Sequence, residues 1–152
     1  MIRTIILSMF VAASLLSVDA RAQSGRGYSY GPVTLVGQIH VEYGHFDDYM
    51  KWVTSTWLPT MEAAKKAGLI IGYKVFRSEP KSPDQPDMYL EITFKNMAAY
   101  AGDIGDQGDQ DAFEAVTEKV ICSAECQNQA RVHRNEVRKF LGADVIREIV
   151  FK

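Results

Sequence analysis

His40, Glu42, Tyr89 and Glu91 are the residues of this 152-residue chain whose types and spacing come nearest to chemistry. His40 and Glu42 alternate along VTLVGQIHVE, and Tyr89 and Glu91 along MYLEITF, each pair on the polar side of its run. Neighbouring strands would set His40 beside Glu91 as an acid–base pair, the arrangement that proton transfer to or from a substrate needs. The competing reading is a polar interface tying two subunits together, and charge clusters are more often structural than catalytic. His133 shares a helical stripe with Ala130, Val137 and Leu141, so its ring is expected to face a sheet. A buried imidazole there must find a hydrogen-bond partner or a ligand. Trp57 and Tyr73 would line a pocket with His133 if the chain is an enzyme.

Cys122 and Cys126, the only two cysteines, are four apart in VICSAECQNQ. In an exported protein an even count invites a disulfide. A regular helix aims i and i+4 side chains imperfectly for that bond, so a bridge implies a local break in the helix. Free buried thiols are the alternative. Two thiols are too few for a structural zinc site. The GDQGDQD segment carries closely spaced carboxylates but has Gly at the wrong offset for an EF-hand loop, so a solvated loop is expected and no metal site. Nucleophile elbow, P-loop, dinucleotide fingerprint and zinc signature are all missing from the sequence.

The elements that must position these residues begin with a hairpin from Ile70 to Lys95, two β-branched and aromatic runs around a Pro/Asp/Ser-rich connection. Alternation sets the register: Val75 opposite Leu90 gathers Ile71, Tyr73, Val75, Met88, Leu90, Ile92 and Phe94 on one face, and Lys74 then faces Glu91 on the other. Val33 to Glu42 reads as a half-buried strand, with Gly37 on its apolar side. A helix is expected from about His45 to Ala67, its stripe formed by Phe46, Tyr49, Met50, Val53, Trp57 and Met61. Pro59 should kink or interrupt it, and Gly68 should cap it. Trp52 lies off that stripe, as a surface aromatic or an interface residue. Asn96 is expected to cap a short helix, MAAYAGDI. A second long helix is expected from about Ala112 to Leu141, broken near Cys122 and closed by Gly142. Val145 to Phe151 ends the series as a strand.

Met1 to Ala22 reads as a secretory signal peptide: Arg3, then an apolar run from Ile5 to Leu16, then Ala20-Arg21-Ala22, with cleavage before Gln23. The apolar run falls short of the roughly 20 residues that span a bilayer. Residues 23–32 read as a flexible Gly/Ser-rich leader, and 33–152 as one domain. Removing Arg3, Arg21 and Asp19 takes the formal charge from −2 to −3. So mildly acidic a chain without a basic run gives no reason to expect nucleic acid or, after signal cleavage, a membrane as partner. A periplasmic or secreted location follows.

The order β-α-β-β-α-β with right-handed crossovers gives an α+β, ferredoxin-like fold: an antiparallel four-stranded sheet, strand order 4-1-3-2, with the helices on one face. Val36, Gln38, His40, Glu42, Lys74, Phe76, Tyr89, Glu91, Thr93 and Lys95 fall on the other face. A mixture so aromatic and so charged fits a second sheet stacked upon it, hence a sheet-to-sheet homodimer. Here the chain resembles the dimeric α/β-barrel superfamily, on element order, Trp57-Leu58-Pro59, Gly68 before the second strand, and MYLEITFKN followed by MAAY. The resemblance covers roughly Val33 to Phe151. It implies monooxygenase-like, isomerase-like, haem-degrading or non-catalytic binding activity, and fold does not select among them. Haem-degrading relatives use an Asn on the first strand, a Trp on the third and a His on the second long helix. This chain offers Gln38, no Trp, and His133. The reading is therefore an exported dimer that binds a small apolar or aromatic ligand without a cofactor. The alternatives are a monooxygenase-like or isomerase-like enzyme and, through His133 alone, a haem protein.

Overall fold

The computed structural model describes residues 26–82, 84–104 and 110–152. The expected signal peptide and most of GDQGDQD lie outside them. Ten elements follow in order: β1 (Tyr28–Val41), α1 (Phe46–Trp52), a π-helical turn (Val53–Trp57), α2 (Leu58–Lys66), β2 (Gly72–Arg77), β3 (Met88–Phe94), α3 (Met97–Ile104), α4 (Gln110–Val120), α5 (Ala124–Val137) and β4 (Arg138–Phe151). The strands form one antiparallel sheet in the order β2-β3-β1-β4. This is an α+β, ferredoxin-like architecture, with the strand order read from the sequence.

The hairpin register is the expected one, Val75 opposite Leu90 and Lys74 opposite Glu91. Tyr49, Val53, Trp57, Met61 and Ala64, spaced at three and four residues, press on Ile39, Val41, Met88, Leu90 and Phe94 to make the core. Each large apolar side chain so buried contributes roughly 1.5–3 kcal/mol. The helix through them stays helical from Phe46 to Lys66 but widens into the π-helical turn Val53–Trp57 just before Pro59. A wider turn there accommodates a ring that has no N–H to donate. Gly68 ends α2 at φ +79°, its N–H donating to Lys65 O and that of Leu69 to Ala64 O. This reciprocal pair is the Schellman arrangement. Asn96 accepts at 2.9 Å from the Ala99 N–H, capping α3 as expected.

Three boundaries differ from expectation. β1 starts at Tyr28 rather than Val33, so Tyr28–Tyr30, read as part of a flexible leader, pairs with Ile149–Phe151. The ladder shifts register between Tyr30 and Val33, which places Gly31 and Pro32 in a bulge. A proline is tolerated there because it has no ladder hydrogen bond to donate. The second long helix is divided at Ile121–Ser123 and ends at Val137, not Leu141. Phe140 and Leu141 belong to β4, and Gly142 (φ +132°) sits at a second register shift opposite Gln38 instead of capping a helix. The helical spacing of Val137, Phe140 and Leu141 had suggested one more turn, but their β-branched and aromatic types also suit a strand, and Arg138 is already extended.

Candidate functional site

Between the helix face of the sheet and α5 lies an open cleft of about 520 Å³. Its floor comes from alternate residues of three strands: Leu35, Gly37 and Ile39 of β1, Leu90 and Ile92 of β3, and Phe140 and Ala143 of β4. Trp57 closes one end, and Arg131, Arg134, Asn135 and Arg138 form the wall. Gly37 keeps the floor low. A Cβ there would touch Leu90 O at 3.5 Å and Phe140 at 3.8 Å, ordinary contacts, so the position has room for a methyl group and little more.

The arginines are held by aromatic rings. The Arg134 guanidinium lies 4.4 Å from the centre of Trp52, and that of Arg138 lies 5.8 Å from each of Tyr49, Trp52 and Phe140. Trp52 itself stacks on Tyr49 at 5.4 Å. It is thus no free surface aromatic but the platform of the wall. Burial, together with the charges of Arg138 and Arg131, pulls Arg134 down to about 10. Burial pushes the Tyr49 phenol up, opposed in part by Arg138 and Arg134. The Nε–H groups of Arg134 and Arg138 are buried without a hydrogen-bond partner, and among the described residues neither arginine forms an ion pair. An unsatisfied buried donor costs about 1–3 kcal/mol, so each of these two N–H groups calls for an acceptor.

The sequence candidates are scattered. His40 does not meet Glu91: β1 and β3 pair Ile39 with Met88 and Val36 with Glu91, which places the two roughly 13 Å apart along the ladder. The carboxylate near His40 is Asp87, 3.6 Å from Nδ1. Asp87 accepts the Val41 N–H at 3.0 Å and 3.2 Å, and its own N–H donates to Ile39 O, so it fastens the strand ends. Glu42 approaches Lys139 at 3.5 Å. Glu91 and Tyr89 line a depression of about 420 Å³ on the open face, with Val36, Phe76, Asp144 and Ile146. Of the aromatic candidates, Trp57 reaches the cleft, while Tyr73 packs edge-on against Trp57 and hydrogen-bonds to Glu62.

His133 does not face the sheet. Its side chain is 81% exposed, and Nδ1 lies 2.7 Å from Glu136. On α5 the side chain that turns inward is Arg134, one position on from His133, with Arg131 in the turn before it; Val137 keeps its expected contact with the core, and Arg138 already belongs to β4. One position is 100° of helix, enough to turn the ring into water. The geometric reason for haem ligation at His133 is thereby lost. The arginines carry their own signal, a three-and-four spacing in RVHRNEVR, which a search for apolar stripes passes over. Among the described residues no three His, Cys, Asp or Glu side chains converge as metal ligands do.

Cys122 and Cys126 are joined in a disulfide, with Cα atoms 6.0 Å apart. The bond spans the break between α4 and α5, as the spacing required. There Ser123 caps α5 through the Cys126 N–H at 3.5 Å, and Gln127 Nε2 donates to Cys122 O at 2.8 Å.

No family model and no curated protein matches the chain. A solved structure described as the crystal structure of HapK from Hahella chejuensis is similar to it, at 12% identity over 76% of this chain and 91% of that one, with a TM-score of 0.47. The ferredoxin-like assignment stands on this chain's own strand order and register.

Proposed function

We propose that this protein is an exported homodimer of the dimeric α/β-barrel type that binds a small, largely apolar ligand in the cleft between sheet and α5. The observation that carries the reading is the make-up of the cleft: an apolar floor from three strands, an aromatic end, and a wall of three arginines and one asparagine. Among the described residues that line it, none has a proton to exchange near neutral pH, which general acid–base catalysis requires. Binding is therefore favoured over a monooxygenase-like or isomerase-like reaction, and His40 with Asp87 belongs to the strand end rather than to the cleft.

The open sheet face supports the dimer. Phe76 and Ile146 are 44% and 52% exposed there, beside Lys74, Glu91 and Asp144. Apolar side chains among charges of both signs suit a self-complementary, two-fold contact. Such a contact would leave the cleft, on the opposite face, accessible. Export is supported by the n-region, apolar run and cleavage pattern of residues 1–22, and by an oxidised Cys122–Cys126 pair. Among the described residues no helix is long and apolar enough to cross a membrane.

Native mass spectrometry of the protein purified from its own periplasm tests the whole reading. The expected result is a dimer of chains beginning at Gln23 that releases a small molecule on activation. A monomer would overturn the dimer, and retention of residues 1–22 would overturn export. A protein that neither retains nor binds any small apolar molecule would overturn ligand binding.

A further inference from the structure

We infer that the ligand of the cleft is an amphipathic anion, an apolar body ending in an oxyanion, with the oxyanion held by Arg134, Arg138 and Arg131. The inference rests on the cleft being a ligand site and adds the charge of what enters it.

Three observations carry it. The first is charge. A chain of formal charge −2 places three arginines on one wall, and no carboxylate is among the described residues lining the cleft. Like charges crowded in a half-dry place repel, and an anion between them removes the repulsion. The second is geometry. Stacking on Trp52 occupies the face of the Arg134 guanidinium and leaves its in-plane N–H groups for an acceptor. The buried, unpaired Nε–H groups of Arg134 and Arg138 are donors of this kind. The third is the floor, where Leu35, Ile39, Leu90 and Ile92 offer apolar surface within reach of those donors. A purely architectural role explains less. Cation–π contact accounts for Arg134 and Arg138, and the negative end of α5 suits a cation at Arg134. Arg131 stacks on no ring among the described residues, yet it lines the same cleft.

Isothermal titration calorimetry of the dimeric, signal-cleaved protein with three probes of one shape tests the inference: 2-naphthoate, 2-naphthyl phosphate and the neutral 2-naphthamide. At least one of the two anions should bind tenfold or more tightly than the amide at low salt, and the tighter of them identifies the source of the oxyanion as carboxylate or phosphate. Arg134→Gln should bring the anion-to-amide ratio close to one. Arg131→Gln, on an exposed side chain that cannot unfold the core, should lower the same ratio several-fold. Gly37→Val, which raises the floor, should weaken all three probes in a protein whose circular dichroism is unchanged. Equal affinity for anion and amide would overturn this inference and leave the ligand-binding reading intact. No saturable binding of any probe to the unaltered protein would overturn both. Binding that survives Gly37→Val would overturn the cleft as its location.

Discussion

Replacing Trp52 by leucine removes the platform beneath two arginines and leaves the sheet untouched. The Arg134 contact, at 4.4 Å and half buried, is worth about 1 kcal/mol, and that of Arg138, at 5.8 Å near the limit of such contacts, about 0.5 kcal/mol. The stack on Tyr49 adds about 1 kcal/mol. No hydrogen bond is lost, because Trp52 Nε1 is buried without a partner. The substitution should therefore destabilise the fold by about 2–3 kcal/mol. Urea unfolding followed by circular dichroism measures it, and a cycle with Arg134→Gln isolates the contact that matters. The coupling between the two positions should be about 1 kcal/mol. If the two single costs add to within about 0.3 kcal/mol of the double, Trp52 does not hold Arg134, and the account of a wall ordered before any ligand arrives is refuted.

Gly68→Ala should destabilise by about 1 kcal/mol in the same assay, all of it backbone strain at φ +79°, since nothing lies within 4 Å of the added methyl group. Reducing Cys122–Cys126, a loop of sequence separation 4, should cost about 2 kcal/mol, and thiol labelling of the denatured, unreduced chain should find no reactive cysteine. Binding of 2-naphthoate should be level below pH 10 and fall as pH rises through it. Arg134 is drawn down to about 10, the anion needs its protonated form, and Tyr49 beside it gains negative charge only at still higher pH. Calorimetry at pH 8 and 10.5 checks this, and the fall should shrink in Arg134→Gln. Lys74→Glu sets two carboxylates opposite one another at Glu91 on the face proposed to be covered in the dimer, so assembly must take out of water an uncompensated pair that the free chain leaves solvated. Light scattering over a dilution series should then show dissociation at higher concentration than for the unaltered dimer.

The hairpin register was legible in the sequence to the residue, because alternation in GYKVFR and MYLEITF allows one register that gathers Tyr73, Val75, Met88, Leu90, Ile92 and Phe94 on one face. The helix pattern from Phe46 to Lys66 was equally clear, since buried side chains at three- and four-residue spacing outnumber every exception. The start of β1 was not. Gly31 and Pro32 are turn residues by type, and only pairing with the distant Ile149–Phe151 makes them a bulge within a strand. The candidate site was the least legible part. The part of its floor on β1 and β3 was read as an apolar face, but Phe140 was read into a helix, and its wall depends on the rotation of α5, which little apolar content on that helix could fix. Arginine guanidinium groups lying over Trp52 take an inward place, and a reading that sorts residues into apolar and charged puts them on the wrong side.

The strand order also sets a timetable. β1, the first of the four described strands to be synthesised, lies at the interior of the sheet, between β3 and β4. Its second neighbour, Arg138–Phe151, is the last of the four to be made. Through most of translation, therefore, one side of β1 from Tyr28 to Val41 carries a row of unanswered N–H and C=O groups. A fold closed by joining its first strand to its last cannot mature stepwise from the ribosome. Its completion waits on a long-range closure, whose entropy cost comes before any contact that repays it. A chain held back in this way stays threadable for longer, and for the same interval the exposed side of β1 is open to a strand from another nascent copy.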